Sequence, residues 1–124
     1  MKKSEEYKIA ERRHKFRDAI PGLKELEAAR EEWAAYREAF SRAVHSGDGI
    51  YPAKPKSDPA ELSAQYPMAA AMLRAESYSR AANYRKASAG RKAVERILDG
   101  EEWEKAVSDM ETEWHEAALE HMWD

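Results

Sequence analysis

Asp99-Gly100 separates a basic helical segment from an acidic one, and this matched pair constrains the fold more than any other feature of the chain. At 100° per residue, the segment from Pro67 to Leu98 gathers Met68, Met72, Ala75, Ser79, Ala82, Ala89, Gly90, Ala93 and Ile97 on one stripe. The stripe is apolar but built from small side chains, so another helix can approach it closely. A flanking stripe holds Arg74, Tyr78, Arg85, Lys92 and Arg96. The segment from Glu101 to His121 answers with larger groups, Trp103, Val107, Met110 and Trp114, and with an acidic face of Glu102, Asp109, Glu113, Glu116 and Glu120. Gly100 suits a helix end, and Asp99 with Glu102 three residues on has the form of a capping box. The sequence therefore predicts an antiparallel hairpin of 67–98 and 101–121. In it Arg96 meets Glu102, Lys92 lies near Asp109, Arg85 meets Glu113 and Arg74 nears Asp124.

This pairing bears on function. Residues 68–98 carry seven basic and two acidic side chains, which alone would suggest a nucleic-acid surface. Residues 99–124 carry ten acidic and one basic, so the two segments can neutralise each other. Each exposed pair contributes only about 0.3–0.5 kcal/mol, and such pairs select register more than they hold a fold.

The remainder reads as more helix, giving an all-α bundle of four or five helices in a single domain, residues 1–124. A peripheral helix over 4–20 starts on a Ser4 cap and has a thin apolar face of Ile9, Phe16, Ala19 and Ile20. Pro21-Gly22 breaks it. A helix over 23–46 follows, in which Leu26, Trp33 and Phe40 are seven apart and Ala29, Tyr36 and Ala43 interleave them. That is a bundle helix, or a heptad seam of three repeats through which the 26–43 face could form a homodimer. Two glycines and two prolines make 47–57 a loop. Asp58-Pro59-Ala60-Glu61 then starts a short helix over 58–66, and Pro67 forces a kink at Tyr66.

Composition excludes several classes of function. With no cysteine among 124 residues there is neither a disulfide nor a thiolate metal site, which fits a cytoplasmic setting. No apolar run is long enough for a signal peptide or a membrane span. The carboxylates at 102, 109, 113, 116 and 120 read as a solvated, paired face and not as metal ligands, no Gly-x-Ser-x-Gly turn exposes a nucleophile, and Ser88-Ala-Gly-Arg-Lys lacks the spacing of a phosphate loop. The sequence thus predicts no catalytic residues, no metal and no cofactor. Two kinds of contact remain. Ile50, Tyr51, Leu119 and Trp123 fall off the apolar stripes and are candidate anchors for a protein partner, unless the 47–57 loop covers the last helix and hides them. Arg80, Tyr84 and Arg91, on the other flank of the central segment, could stack on and neutralise a nucleic acid, unless Glu104 and Glu111 pair with them.

The stretch Tyr66-Pro-Met-Ala-Ala-Ala-Met-Leu-Arg-Ala-Glu-Ser-Tyr, with Ala82-Asn-Tyr, Ser88-Ala-Gly-Arg-Lys-Ala, Glu113-Trp and Met122-Trp-Asp, resembles small uncharacterised proteins of phages and mobile elements in gut bacteria. The resemblance covers 66–124 and carries no functional residues. It implies an inhibitor or adaptor acting by protein–protein contact, anti-CRISPR-like inhibition being one form. In that form Glu102, Asp109, Glu113, Glu116 and Glu120 would compete for a basic groove, provided they are not already paired within the hairpin.

Overall fold

A computed structural model describes residues 4–122, among which there are six helices and no strand: α1 (Glu5–Asp18), α2 (Leu23–Ser46), α3 (Pro59–Gln65), α4 (Pro67–Ser79), α5 (Tyr84–Leu98) and α6 (Trp103–Met122). The chain is an all-α bundle. Its starts follow local chemistry. Ser4 accepts from the Tyr7 N–H, and Asp58 accepts from the Ala60 and Glu61 N–H groups ahead of Pro59. Tyr66 is non-helical, with φ −124° and ψ 71°, so α3 ends and α4 begins where Pro67 requires.

The expected long helix over 67–98 is two helices. Arg80 closes α4, donating to the carbonyls of Glu76, Ser77 and Tyr78, and the Asn83 side chain accepts from the Arg85 and Lys86 N–H groups to open α5. The break lets the small-residue stripe fold against itself. Ala75 and Met72 of α4 are packed with Ala89, Ala93 and Ile97 of α5, and α6 completes the layer with Ala106 and Met110. Gly90 lies so close to the last turn of α4 that an added Cβ would stand 2.3 Å from the Ser79 nitrogen. Removal of apolar surface from water drives this packing, and small side chains let three helix axes share one core.

At the second hinge, Gly100 adopts φ +86°; its N–H donates to Ile97 and that of Glu101 to Arg96, the paired bonds of a Schellman closure. Asp99 is not the cap of α6. It ends α5, and its carboxylate receives Nε and Nη2 of Arg13, each at 2.9 Å, from α1. The Glu102 carbonyl instead accepts the Ala106 N–H at the start of α6. The expected capping box fails because a bidentate guanidinium is a stronger partner for a carboxylate than a backbone N–H.

The remaining helices form an outer layer. None of α1 is fully buried; Ile9 and Phe16 are half-buried, Ile20 beyond its end is buried, and the helix rests on α5. Arg17 ties it down through Glu76 of α4 and Glu27 of α2. The Glu76 hydrogen bonds, with Glu27 assisting, hold the Arg17 guanidinium in its charged form against desolvation. The first turns of α2 supply Leu23, Leu26 and Ala29 to the interior, and α2 rests on α3 and α4.

Candidate functional site

α2 has 24 residues and its neighbour α4 has 13, or about 36 and 20 Å at 1.5 Å per residue. The far half of α2 therefore extends past the helix it rests on, and its apolar residues need another cover. The loop over 47–57 supplies part of it. Trp33 donates its indole N–H to the Ser57 carbonyl at 2.7 Å, Ser57 donates to Glu32, and the Lys54 ammonium sits 5.6 Å from the Trp33 ring centre. Along the ridge the rings follow one another: Trp33 to Tyr36 at 5.6 Å edge-on, Tyr36 to Phe40 at 5.9 Å, and Phe40 to Tyr51 of the loop at 5.1 Å.

The cover is incomplete. Phe40 is 40% exposed, Val44 54%, Tyr51 54% and Ile50 75%. Helix and loop thus present one apolar ledge to solvent, with an open groove of about 410 Å³ running along Tyr36, Phe40 and Val44. Asp48 accepts the Ile50 N–H at 2.9 Å and so fixes the bend that presents Ile50.

Of the four anchors expected from sequence, Ile50 and Tyr51 lie on this ledge. Leu119 is 42% exposed on α6, away from it, and Trp123 lies outside the described residues. The loop rests on α2, not on the last helix. Phe40 and Val44 join the site from a helix whose heptad spacing points to core or seam. Leu26, Ala29 and Ala43 of that seam are buried within the chain, while Trp33 and Tyr36 are half-buried. The signal that could have found Phe40 and Val44 is length, since a seven-residue helix and a loop cannot cover the outer turns of α2.

The acidic face is largely engaged, one to two turns off the expected register. Arg96 binds Glu101 at 2.6 Å and Asp109 at 2.9 Å, Lys92 binds Glu113 at 3.1 Å, Arg85 binds Glu120, and Arg74 binds Glu111 at 2.6 Å. The expected pairs of Arg96 with Glu102, Lys92 with Asp109 and Arg85 with Glu113 are replaced, and Asp124 lies outside the described residues. The register differs because α6 begins at Trp103 after the Schellman turn, and because Arg74 belongs to a different helix from the other three cations. Among the described residues Glu102 and Glu116 make no ion pair, and both are exposed.

Arg80, Tyr84 and Arg91 are not paired with Glu104 or Glu111, and among the described residues the two arginines make no ion pair. Arg80 and Tyr84 lie in different depressions, however. Arg80 lines a depression with Arg17, Glu27 and Glu76, whereas Tyr84, 78% exposed, lines another with Glu113, Glu116 and Glu120.

No protein-family model matches this chain, and neither the curated proteins nor the solved structures contain a match to it. The functional reading therefore rests on geometry. Among the described residues no helix is long and apolar enough to cross a membrane, and no three His, Asp or Glu side chains are grouped so that they could hold a metal ion.

Proposed function

We propose that this chain is a non-enzymatic interaction protein that binds another protein through the ledge of α2 and the 47–57 loop. One observation carries the reading: Phe40, Val44, Ile50 and Tyr51, drawn from two segments that meet in space, are all 40% or more exposed. Burying such groups is a principal source of binding energy, and contiguous exposed apolar surface marks contact sites. Aromatic rings and aliphatic chains of this kind bind and supply no nucleophile. A phage or mobile-element inhibitor or adaptor, an anti-CRISPR protein included, would act through such a contact. The alternative form, mimicry by the acidic face, is disfavoured because Asp109, Glu113 and Glu120 are already bound by Arg96, Lys92 and Arg85.

The test is affinity capture from a nuclease-treated extract with the intact chain and with a Val44→Gln/Ile50→Gln variant. These two side chains are 54% and 75% exposed, so the variant keeps its fold. A discrete protein captured by the first and lost from the second supports the reading. Capture that is indifferent to the substitutions overturns it.

A second reading, binding of single-stranded nucleic acid, is favoured by the unpaired Arg80 and Arg91 and the exposed Tyr84. The carboxylates lining the Tyr84 depression oppose it. Affinity for generic DNA and RNA that falls steeply with added salt would establish it; no binding at low salt would dismiss it.

A further inference from the structure

We infer that the ledge takes an amphipathic helix with acidic flanks from a partner protein, a proposal that rests on the interaction reading above and specifies its ligand. Three observations point there. The first is charge. Around the ledge Glu32 accepts the Ser57 hydroxyl, Glu38 is held by Arg42 at 2.6 Å, and Asp48 accepts the Ile50 N–H. Arg37, Lys54 and Lys56 make no ion pair among the described residues. Arg42 neutralises Glu38, and the three cations without an ion pair outnumber the remaining charges of Glu32 and Asp48, so a partner gains electrostatically by bringing carboxylates.

The second observation is shape. Tyr36, Phe40 and Val44 recur every four residues along one side of α2, where they line the open groove, and Tyr51 of the loop packs against Phe40 at its edge. A ridge with this spacing receives side chains at helical intervals. The alternative mode, addition of a strand to the loop, is disfavoured because Pro52 and Pro55 have no N–H to donate to a ladder.

The third concerns the most economical alternative, a second copy of this chain on the 26–43 face. A two-fold interface sets the patch against its own copy, so the excess positive charge carried by Arg37, Lys54 and Lys56 on one patch faces the same excess on the other. Like charges brought together in an apolar contact oppose association. The same three cations that attract an acidic helix therefore discourage a homodimer here.

The experiment uses the full chain, isotopically labelled, and two synthetic helical peptides of about fourteen residues. Both carry leucines at i, i+3, i+4 and i+7; one has glutamates on the flanks and the other has lysines. The proposal expects the glutamate peptide to bind at least tenfold more tightly, to shift resonances of residues 36–56, and to lose its advantage in an Arg37→Glu/Lys54→Glu variant. A milder Arg37→Gln variant, expected to weaken binding severalfold, guards against misfolding of the double reversal. Equal affinities, tighter binding of the lysine peptide, or shifts confined to α5 and α6 would overturn it. If neither peptide binds while protein capture still depends on Val44 and Ile50, the acidic-helix proposal falls and the interaction reading stands. A doubling of mass with concentration that Val44→Gln/Ile50→Gln abolishes would also overturn it, in favour of a second copy.

Discussion

Substitution of Gly90 by alanine separates this fold from the simpler one that the sequence suggests. In one continuous 67–98 helix, Ser79 and Gly90 would lie along the same axis. Gly90→Ala would then stabilise by about 1 kcal/mol, the propensity difference between the two residues in a helix interior. In the observed fold α4 turns back on α5. The new methyl would stand 2.3 Å from the Ser79 nitrogen and 2.6 Å from the Tyr78 carbonyl carbon and Cβ. Ordinary contacts are about 3.5–4.0 Å, so the end of α4 must retreat by roughly 1 Å or more. No rotamer change relieves a clash with backbone, so the upper end of the overpacking range applies, about 3 kcal/mol. Less the propensity gain, the net loss is about 2 kcal/mol, or roughly 8 °C in Tm for a domain of this size. Thermal unfolding followed by circular dichroism reads it directly. An unchanged or raised Tm would show that α4 and α5 do not cross as described.

Asn83→Ala should destabilise by about 1 kcal/mol in urea unfolding, because it removes the acceptor for the Arg85 and Lys86 N–H groups at the start of α5. Arg17→Ala leaves Glu76, 14% exposed, without its guanidinium, and should cost about 1–2 kcal/mol by the same measurement; no change would show that α1 does not depend on this contact. The hydrogen bonds from Arg13 hold the Asp99 carboxyl below its ordinary range. Its contribution is therefore present above pH of about 4 and is lost as pH falls through the lowered folded value. Both partners are partly exposed, so the amount is no more than about 1 kcal/mol. Between pH 5 and 2 the Tm of an Asp99→Asn variant should fall less than that of the parent chain, and parallel profiles would contradict the assignment.

Helix content and the small-residue stripe were legible because periodicity and side-chain size act locally and along the whole core. Asp58-Pro59, Tyr66-Pro67 and Gly100 each announced a boundary through their own backbone preferences. The break at residues 80–83 was not legible from the stripe. Ala81 and Ala82 favour helix, and only Asn83, a good cap, marks the restart. Tertiary packing of Ala75 and Met72 against Ala89 and Ala93 decides the matter there. Ion-pair register was misread for a related reason: long side chains reach over a turn in either direction, so spacing alone leaves several pairings open. At the ledge, the heptad of α2 correctly located an apolar face. Which half of that face stays exposed depends on how far the other helices extend, and no local pattern in α2 encodes that.

The most direct test of the account compares two positions in one extract, with a photoreactive amino acid placed at Val44 on the ledge or at Arg91 on the outer side of α5. The interaction reading predicts a discrete protein adduct from position 44 that survives nuclease treatment, and none from position 91. An adduct from position 91 that nuclease removes, with position 44 silent, would contradict it and move the functional surface to the basic face.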